Sequence, residues 1–118
     1  MRVGGIIFVK VDGVQYRVKG SWTYNLGKAK REAVVGSDSV HGYKELPQVP
    51  FIEGTITDDP AVSMEALLEV QDATIILELA NGKVVHLKNA WFAGDGNFTT
   101  EEGELEARFE GLTANEIR

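Results

Sequence analysis

The sequence contains no cysteine, and this absence excludes several classes of site at once. Disulfide scaffolds, thiolate metal sites, iron–sulfur clusters and cysteine nucleophiles all require the missing residue. Long hydrophobic runs are also absent, because apolar stretches such as residues 6–9 are far shorter than the ~20 residues of a membrane-spanning helix. The first residues lack the apolar segment and cleavage site of a signal peptide, so neither a membrane partner nor secretion by the common route is expected.

Basic residues are scarce relative to acidic ones, with 12 Lys and Arg against 18 Asp and Glu, which gives a net charge of −6. This balance opposes binding to phosphate backbones and anionic lipid, so free nucleic acid is a poor partner. The charges are also uneven along the chain, since residues 1–59 carry 8 − 7 = +1 and residues 60–118 carry 4 − 11 = −7. Such a layout favours head-to-tail contact between copies, and an uneven surface without function explains it equally well.

Two pairs of β-rich segments are separated by dipeptides that are typical of tight turns. They are residues 6–11 and 14–19 around Asp12-Gly13, and residues 74–80 and 83–92 around Asn81-Gly82. Both dipeptides favour the positive φ of a type I′ turn, so each pair predicts a β-hairpin.

Alternating apolar residues predict three further strands, from residue 22 to about residue 30, over 51–58 and over 104–110. Gly54 within the second of these strands indicates that another group approaches the backbone closely. Ser63 precedes an apolar pattern typical of a helix, so we predict one short helix with a hydroxyl cap there.

The alternation is lost over residues 33–50, which contain several glycines and serines and two prolines. An irregular segment of more than ~12–15 residues in a small domain is usually functional or disordered. We therefore predict a long loop here and name it the contact arm (residues 33–50).

The whole pattern predicts a single mainly β domain over residues 1–118, a length that fits one core. About seven strands would form a small β-sandwich or partly closed barrel, with one short flanking α-helix and a long loop. No catalytic constellation is visible, because His41 and His86 have no nucleophile or acidic partner at a suitable spacing. The glutamates of 101–106 are better explained as a solvated face than as a cation site. We therefore expect no enzyme activity, no metal and no cofactor.

Several strings of the sequence together resemble one family. They are residues 43–54 (YKELPQVPFIEG), the opening 5–13 (GIIFVKVDG), residues 79–82 (LANG) with Ala90-Trp91 and Ala93-Gly94 beyond them, the closing 108–111 (RFEG), and Lys30-Arg31-Glu32. In this order, across nearly the full chain, they resemble the tail tube proteins of contractile-tailed, Mu-like bacteriophages.

The resemblance implies a structural protein of the virion tail that is assembled in the host cytoplasm. Six copies would form a ring, and rings would stack into a hollow tube through which DNA passes during ejection. The implied partners are further copies of the chain, the tape-measure protein, the tail sheath, and the baseplate and terminator proteins.

Elementary physics adds a mechanism to this implied assembly. Ring closure is expected to join strand edges, because an exposed edge is a row of unpaired backbone donors and acceptors. The contact arm is expected to be mobile in the monomer and ordered by stacking. Its predicted interface residues are Ser37, Asp38, His41, Tyr43, Lys44, Glu45, Val49 and Phe51.

An acidic bore would repel DNA phosphates, whereas a cationic bore would retain them. The candidate lumen-facing acids are Glu53, Glu104, Glu106 and Glu110. Two other functions stay open. A monomeric β-sandwich could present residues 33–50 to a protein partner. A barrel could also stack single-stranded nucleic acid on Trp22, Tyr24 and Trp91, although the acidity of the chain disfavours this.

Overall fold

The computed structural model describes residues 6–117. Residues 1–5 and 118, which belong to the predicted domain 1–118, lie outside the described residues. The described part of the chain contains eleven strands, rather than about seven, and one helix. In chain order they are β1 (Ile6–Val11), β2 (Val14–Tyr16), β3 (Val18–Asn25), β4 (Lys30–Val35), β5 (Val40–Leu46), β6 (Phe51–Thr57), α1 (Met64–Leu68), β7 (Ala73–Leu79), β8 (Val84–Phe92), β9 (Phe98–Thr99), β10 (Glu104–Glu110) and β11 (Thr113–Ile117).

Nine of the strands form two antiparallel sheets that share β8. Sheet I has the order β2-β1-β7-β8-β11, and sheet II has the order β8-β10-β6-β3, with β9 beside β10. Strands β2 and β3 lie at opposite ends of this arrangement and do not pair with each other. The sheets are therefore not closed into a barrel, and the sandwich is the correct one of the two predicted architectures.

Strand β8 passes from one sheet to the other through a bulge. Its first half pairs with β11 in sheet I, whereas Trp91 and Phe92 pair with β10 in sheet II. Between the halves, Asn89 has a φ of +53°, and the pairing with β7 shifts by one residue. Asn tolerates this left-handed conformation better than most residues, and an extra residue of this kind bends a strand. The Asn89 amide donates a hydrogen bond to the Asp72 carboxylate, which holds the bend.

A single hydrophobic cluster lies between the sheets. The alternation predicted over 104–110 is confirmed, because Leu105, Ala107 and Phe109 of β10 are all buried. Phe92 packs edge-to-face on Phe109, with 5.6 Å between ring centroids. The other large, fully buried side chains of the core are Ile52, Ile56, Leu67, Ile75, Leu77, Leu87, Val9 and Val85.

The predicted helix and both predicted hairpins are confirmed. Helix α1 begins after Ser63, whose hydroxyl accepts a hydrogen bond from the Ala66 amide at 3.1 Å. Asp12 and Gly13 have φ values of +49° and +86°, as a type I′ turn requires. The second turn differs, because only Gly82 has a positive φ.

The predicted strand over 14–19 is wrong in its boundaries. It divides at Arg17, where the chain leaves β2 of sheet I and enters β3 of sheet II. The Arg17 carbonyl accepts a hydrogen bond from the Thr57 amide at 2.9 Å, so the crossing is fixed to β6. The strand predicted from residue 22 to about 30 accordingly begins at Val18 and ends at Asn25.

Gly54 in β6 has the close neighbour that the sequence predicts. A Cβ at this position would overlap the indole ring of Trp22, which packs against the core from β3. The absent side chain therefore makes room for the largest aromatic group of the neighbouring strand.

The contact arm is not the irregular loop that the sequence predicts. Strands β4 and β5 pair along Lys30↔Leu46 to Val35↔Val40 and form a two-stranded sheet of their own. We call residues 30–46 the arm hairpin. The glycines and serines that suggested a loop lie mostly around the turn, where the Gly36 amide donates to the Ser39 carbonyl at 2.7 Å.

The arm hairpin projects from the sandwich. Neither β4 nor β5 contains a buried residue. The principal-axis extents of the molecule are 61 × 36 × 27 Å. A seven-residue strand spans about 23 Å, so the hairpin accounts for most of the excess in the longest dimension.

Candidate assembly surfaces

The outward face of sheet II brings together all four acids predicted from the sequence. Glu104, Glu106 and Glu110 occupy alternate positions of β10, and Glu53 of β6 lies directly opposite Arg108. Because successive strand residues point to opposite faces, these four carboxylates share the face that points away from the core. We call it the acidic face (residues 19, 23, 25, 51, 53, 55, 57, 104, 106, 108 and 110).

Arg108 lies at the centre of this face. Its Nη1 is 2.8 Å from Glu53 Oε2, its Nε is 3.0 Å from Glu110 Oε2, and its guanidinium lies over the Phe51 ring at 4.0 Å. Burial disfavours the charge of Arg108, but the hydrogen bonds and charges of the two carboxylates outweigh burial and raise its pKa above the usual value. Arg108 thus joins β6 to β10 across the acidic face.

A second group of charges lies at the other end of β10. Lys19 Nζ is 3.1 Å from Glu104 Oε1. A hydrogen bond with Glu102, followed by the interaction with Lys19, lowers the pKa of Glu104, and the same hydrogen bond raises the pKa of Glu102. In the described part of this face, two cations oppose four glutamates, so its charge is 2 − 4 = −2 per chain.

A groove of about 650 Å³ opens on the acidic face beside residues 93–97. Strand β10 pairs with β9 at Glu104 and Leu105 and with β8 at Phe109 and Glu110. Between these pairings, no strand of the described chain lies beside Glu106 and Ala107 on that edge. The loop of residues 93–97 passes there instead, and β10 is partly open.

The opposite edge of sheet II is the outer side of β3. This strand pairs only with β6 among the described residues, so its other side presents backbone groups without strand partners. Sheet II therefore has an open edge at one end and an incomplete edge at the other. Open edges of this kind favour pairing with another chain.

The arm hairpin exposes apolar side chains that no other part of the described chain covers. Val35 and Val40 are 68% and 66% exposed and lie opposite each other near the turn, and Tyr43 is 57% exposed. Apart from Asp38 in the turn, the charged residues lie nearer the base of the hairpin, where Arg31 contacts the Tyr43 ring at 4.9 Å and Glu45 at 4.0 Å. Exposed apolar groups concentrated in one projecting element are typical of an interaction surface.

No group of three His, Cys, Asp or Glu side chains within residues 6–117 could hold a metal ion. None of the described helices has the length and apolar character to cross a membrane. His86 lies in β8 opposite Asn115 and Ile76, a position within the sheet ladder.

Comparison with known proteins decides the family. A model of the phage tail tube protein family matches residues 1–116. The chain belongs to the phage tail tube family. The resemblance predicted from the sequence is confirmed, and the chain is a structural component of the virion tail whose family assembles with copies of itself and with other tail parts.

Two known proteins are similar to this member of the tail tube family. A Mu-like prophage FluMu tail tube protein of Haemophilus influenzae is 23% identical over 114 residues, which cover 97% of this chain and 95% of that protein. The solved structure of the tube-terminating cap of an anti-feeding prophage matches with a TM-score of 0.62 and 12% identity, over 93% of this chain and 86% of that one. At this identity the second match shows a shared fold.

The structure distributes the predicted interface residues of this tail tube family member over three places. Six of them lie on the arm hairpin, namely Ser37, Asp38, His41, Tyr43, Lys44 and Glu45. Val49 is exposed in the segment that returns to the sandwich, and Phe51 belongs to β6 beneath Arg108. Phe51 is therefore separated from the others.

Two features were not predicted from the sequence. The central position of Arg108 was not predicted, although a lone cation among alternating glutamates is a signal for ion pairing. Val34, Val35 and Val40 were hidden by the neighbouring glycines and serines, although β-branched residues on both sides of a polar turn are typical of a hairpin.

Proposed function

We propose that six copies of this chain form a ring and that rings stack into the hollow tube of a phage tail, with the acidic face lining the bore. The observation that carries this proposal is the position of the four glutamates on one outward face of sheet II. A net negative wall lets DNA pass because phosphates are repelled rather than bound.

The two ends of sheet II support ring closure. In the proposed ring, the open edge of β3 in one copy faces the incomplete edge near Glu106 and Ala107 in the next. Closing a sheet around a circle satisfies the backbone groups that an isolated copy leaves to water. In the proposed ring, the face opposite the core points towards the common axis.

The arm hairpin supports stacking. It projects from the sandwich, and Val35 and Val40 near its turn are exposed together with Tyr43. In the proposed tube, Val35, Val40 and Tyr43 bury this apolar surface against the neighbouring ring. The tape-measure protein in the bore, the sheath outside, and the baseplate and terminator proteins at the ends complete the proposed set of partners, with assembly in the host cytoplasm.

Electron microscopy of the purified full chain at rising concentration tests the assembly. We expect six-fold rings and tubes of stacked rings. A chain that remains monomeric at the highest concentration would contradict the proposal and favour the monomeric binding module that uses residues 33–50.

A charge reversal tests which face lines the bore. Glu106 is exposed and belongs to none of the ion pairs on the acidic face, so Glu106→Lys changes the wall charge without breaking a contact. We expect phage that carry this change to form tails but to eject DNA more slowly. Glu69→Lys at the end of α1 is the matched control with the same charge change, and equal ejection by both variants would show that Glu106 does not face the DNA.

A further inference from the structure

We propose that Gly27, Pro50 and Gly111 form a joint that fixes the direction in which the arm hairpin leaves the sandwich. This inference rests on the proposed function, because it concerns how the arm hairpin is aimed at a neighbouring ring. It assigns a positioning role to three residues at the root of the arm hairpin.

Pro50 is the buried element of the joint. It is the last residue before β6 and is buried, whereas the preceding residues 37–49 are exposed. We call residues 26–29 the outgoing leg and residues 47–50 the returning leg of the arm hairpin. Gly27, on the outgoing leg, has a φ of +77°, and a Cβ there would lie 2.8 Å from Pro50 Cδ and 2.9 Å from Pro50 Cβ. These distances are shorter than real Cβ contacts, so the proline ring occupies the space that any other side chain at position 27 would need.

Hydrogen bonds close the joint on both legs. The Gly27 amide donates to Asn25 Oδ1 at 2.8 Å, and Gln48 Nε2 donates to the Lys28 carbonyl at 2.9 Å, so the outgoing and returning legs are linked to each other. The Gly111 amide donates to the Pro50 carbonyl at 3.1 Å, which links the returning leg to the turn between β10 and β11.

The turn that receives the returning leg is itself tightly packed. A Cβ on Gly111 would lie 2.8 Å from the Lys88 carbonyl oxygen and 2.9 Å from Leu87 Cδ1. The next amide, that of Leu112, donates to the same Lys88 carbonyl at 3.1 Å. The root of the arm is therefore connected through Gly111 to β8, the strand that the two sheets share.

The far part of the arm has no comparable support. Strands β4 and β5 pair only with each other among the described residues. A hairpin of this length acts as a lever, so a rotation of ten degrees at the root moves the tip by about 4 Å over its ~23 Å. Small changes of angle at the joint therefore determine the positions of Val35 and Val40 relative to the sandwich.

A fixed root also changes the energetics of stacking. The mobile arm predicted from the sequence would lose conformational entropy when it is ordered by a neighbour. An arm hairpin whose orientation is already fixed loses less conformational entropy. Each ring then presents the same geometry to the next. The joint therefore predicts a hairpin that holds one orientation in the isolated chain.

Distances within the isolated chain test this inference directly. Because the sequence has no cysteine, Asp38→Cys at the hairpin turn and Glu65→Cys on α1 give a unique pair of spin-label sites. Double electron–electron resonance at a concentration below assembly then measures the distance distribution between arm and sandwich. We expect one narrow distribution in the otherwise unchanged chain.

Two variants of the joint are compared with a matched glycine. Gly27→Ala adds a Cβ against Pro50, whereas Gly13→Ala adds a Cβ at a similar φ of +86° with no atom within 4 Å. We expect Gly27→Ala to shift the distribution or widen it about twofold, and Gly13→Ala to leave it unchanged. Pro50→Ala removes the ring without adding backbone strain and should widen the distribution if Gly27→Ala does not fold.

The outcomes distinguish a failure of the proposed joint from a failure of the proposed tube. A broad distribution in the otherwise unchanged chain, or equal distributions in the Gly27→Ala, Pro50→Ala and Gly13→Ala variants, would overturn the joint even if unlabelled protein forms tubes. A narrow distribution that widens only in the joint variants supports the joint even if microscopy finds no tubes, and in that case the proposed function alone is wrong.

Discussion

The sandwich and the arm hairpin use the same antiparallel pairing, but they differ in what surrounds their side chains. Both sheets and α1 of the sandwich contribute to one buried cluster, whereas no residue of β4 or β5 is buried. Three ion pairs of the arm hairpin span 3.8 to 4.0 Å, and those of the sandwich span 2.8 to 3.3 Å.

Backbone pairing alone contributes little to stability, because water competes for the same hydrogen bonds. An isolated two-stranded hairpin is accordingly marginal in water. The sandwich is therefore stabilised by its own core, whereas the arm hairpin depends on its root and, in the proposed tube, on a neighbour.

Truncating an aromatic residue in each region gives the largest expected contrast. Phe109→Ala removes a fully buried ring, and we expect it to lower the free energy of unfolding by about 3–5 kcal/mol. Tyr43→Ala removes a mostly exposed ring from the arm hairpin and should change the same quantity by less than about 0.5 kcal/mol. Urea unfolding measures both, and equal losses would show that the arm hairpin is part of the cooperative core.

Crowding between two strands gives a smaller effect in the sandwich. Gly54→Ala places a methyl group where the Trp22 indole lies, and we expect a loss of about 1–3 kcal/mol. In a Trp22→Leu background the ring is gone, so the same substitution should cost less. A double-mutant cycle by urea unfolding measures this coupling, and additive effects would mean that the overlap is not the cause of the loss.

The sequence predicted the sandwich better than the arm for a physical reason. A strand with one face on a core must alternate apolar and polar residues, and Leu105, Ala107 and Phe109 therefore predicted β10. Strands β4 and β5 have no core face in the single chain, so nothing forces a clear alternation on them, and the segment was predicted as a loop. Asn89 was not foreseen either, because a bulge is required by the change of sheet, which only the assembled topology shows.

The acidic face was likewise predicted only in part from the sequence. Alternation along β10 predicted that Glu104, Glu106 and Glu110 share a face. Glu53 joined them only through the register Arg108↔Glu53, which depends on which strands are neighbours. A single sequence does not give that order, so the ion pair of Arg108 with Glu53 emerged only from the structure.

A variant of the arm hairpin that lacks exposed apolar groups should affect assembly but not stability. A Val35→Ser and Val40→Ser double variant should keep the unfolding free energy within about 0.5 kcal/mol, because these side chains have no core contacts to lose. Tube yield by electron microscopy should fall, because their burial against the next ring is lost.

Leu112→Ser is the control for that double variant. Leu112 is 67% exposed, as Val35 and Val40 are, but it lies in the turn between β10 and β11. Normal tube yield in Leu112→Ser together with reduced yield in the double variant would locate the stacking surface on the arm hairpin. Equal reductions would argue for a general effect of lost apolar surface.

The smallest expected effect is a change of titration on the acidic face. The lowered pKa of Glu104 favours the folded state above the ordinary pKa of a glutamate, and this contribution is lost as the pH falls through the lowered value. The raised pKa of Glu102 acts oppositely, because its contribution is present at low pH and is lost as the pH rises through the raised value. The two offset each other, so stability itself is a poor readout.

Carboxyl titration by NMR measures the pKa of Glu104 directly. Glu102→Ala removes the hydrogen bond that is the largest cause of the shift, so the pKa of Glu104 should rise towards its ordinary value. Lys19→Met removes the next contribution and should raise it as well. Glu102→Gln keeps a hydrogen-bond donor and should preserve the lowered pKa, so an identical titration of Glu104 in the Ala and Gln variants would mean that Glu102 does not set it. Because both carboxylates belong to the sandwich, the same titration should be unaffected by Tyr43→Ala in the arm hairpin.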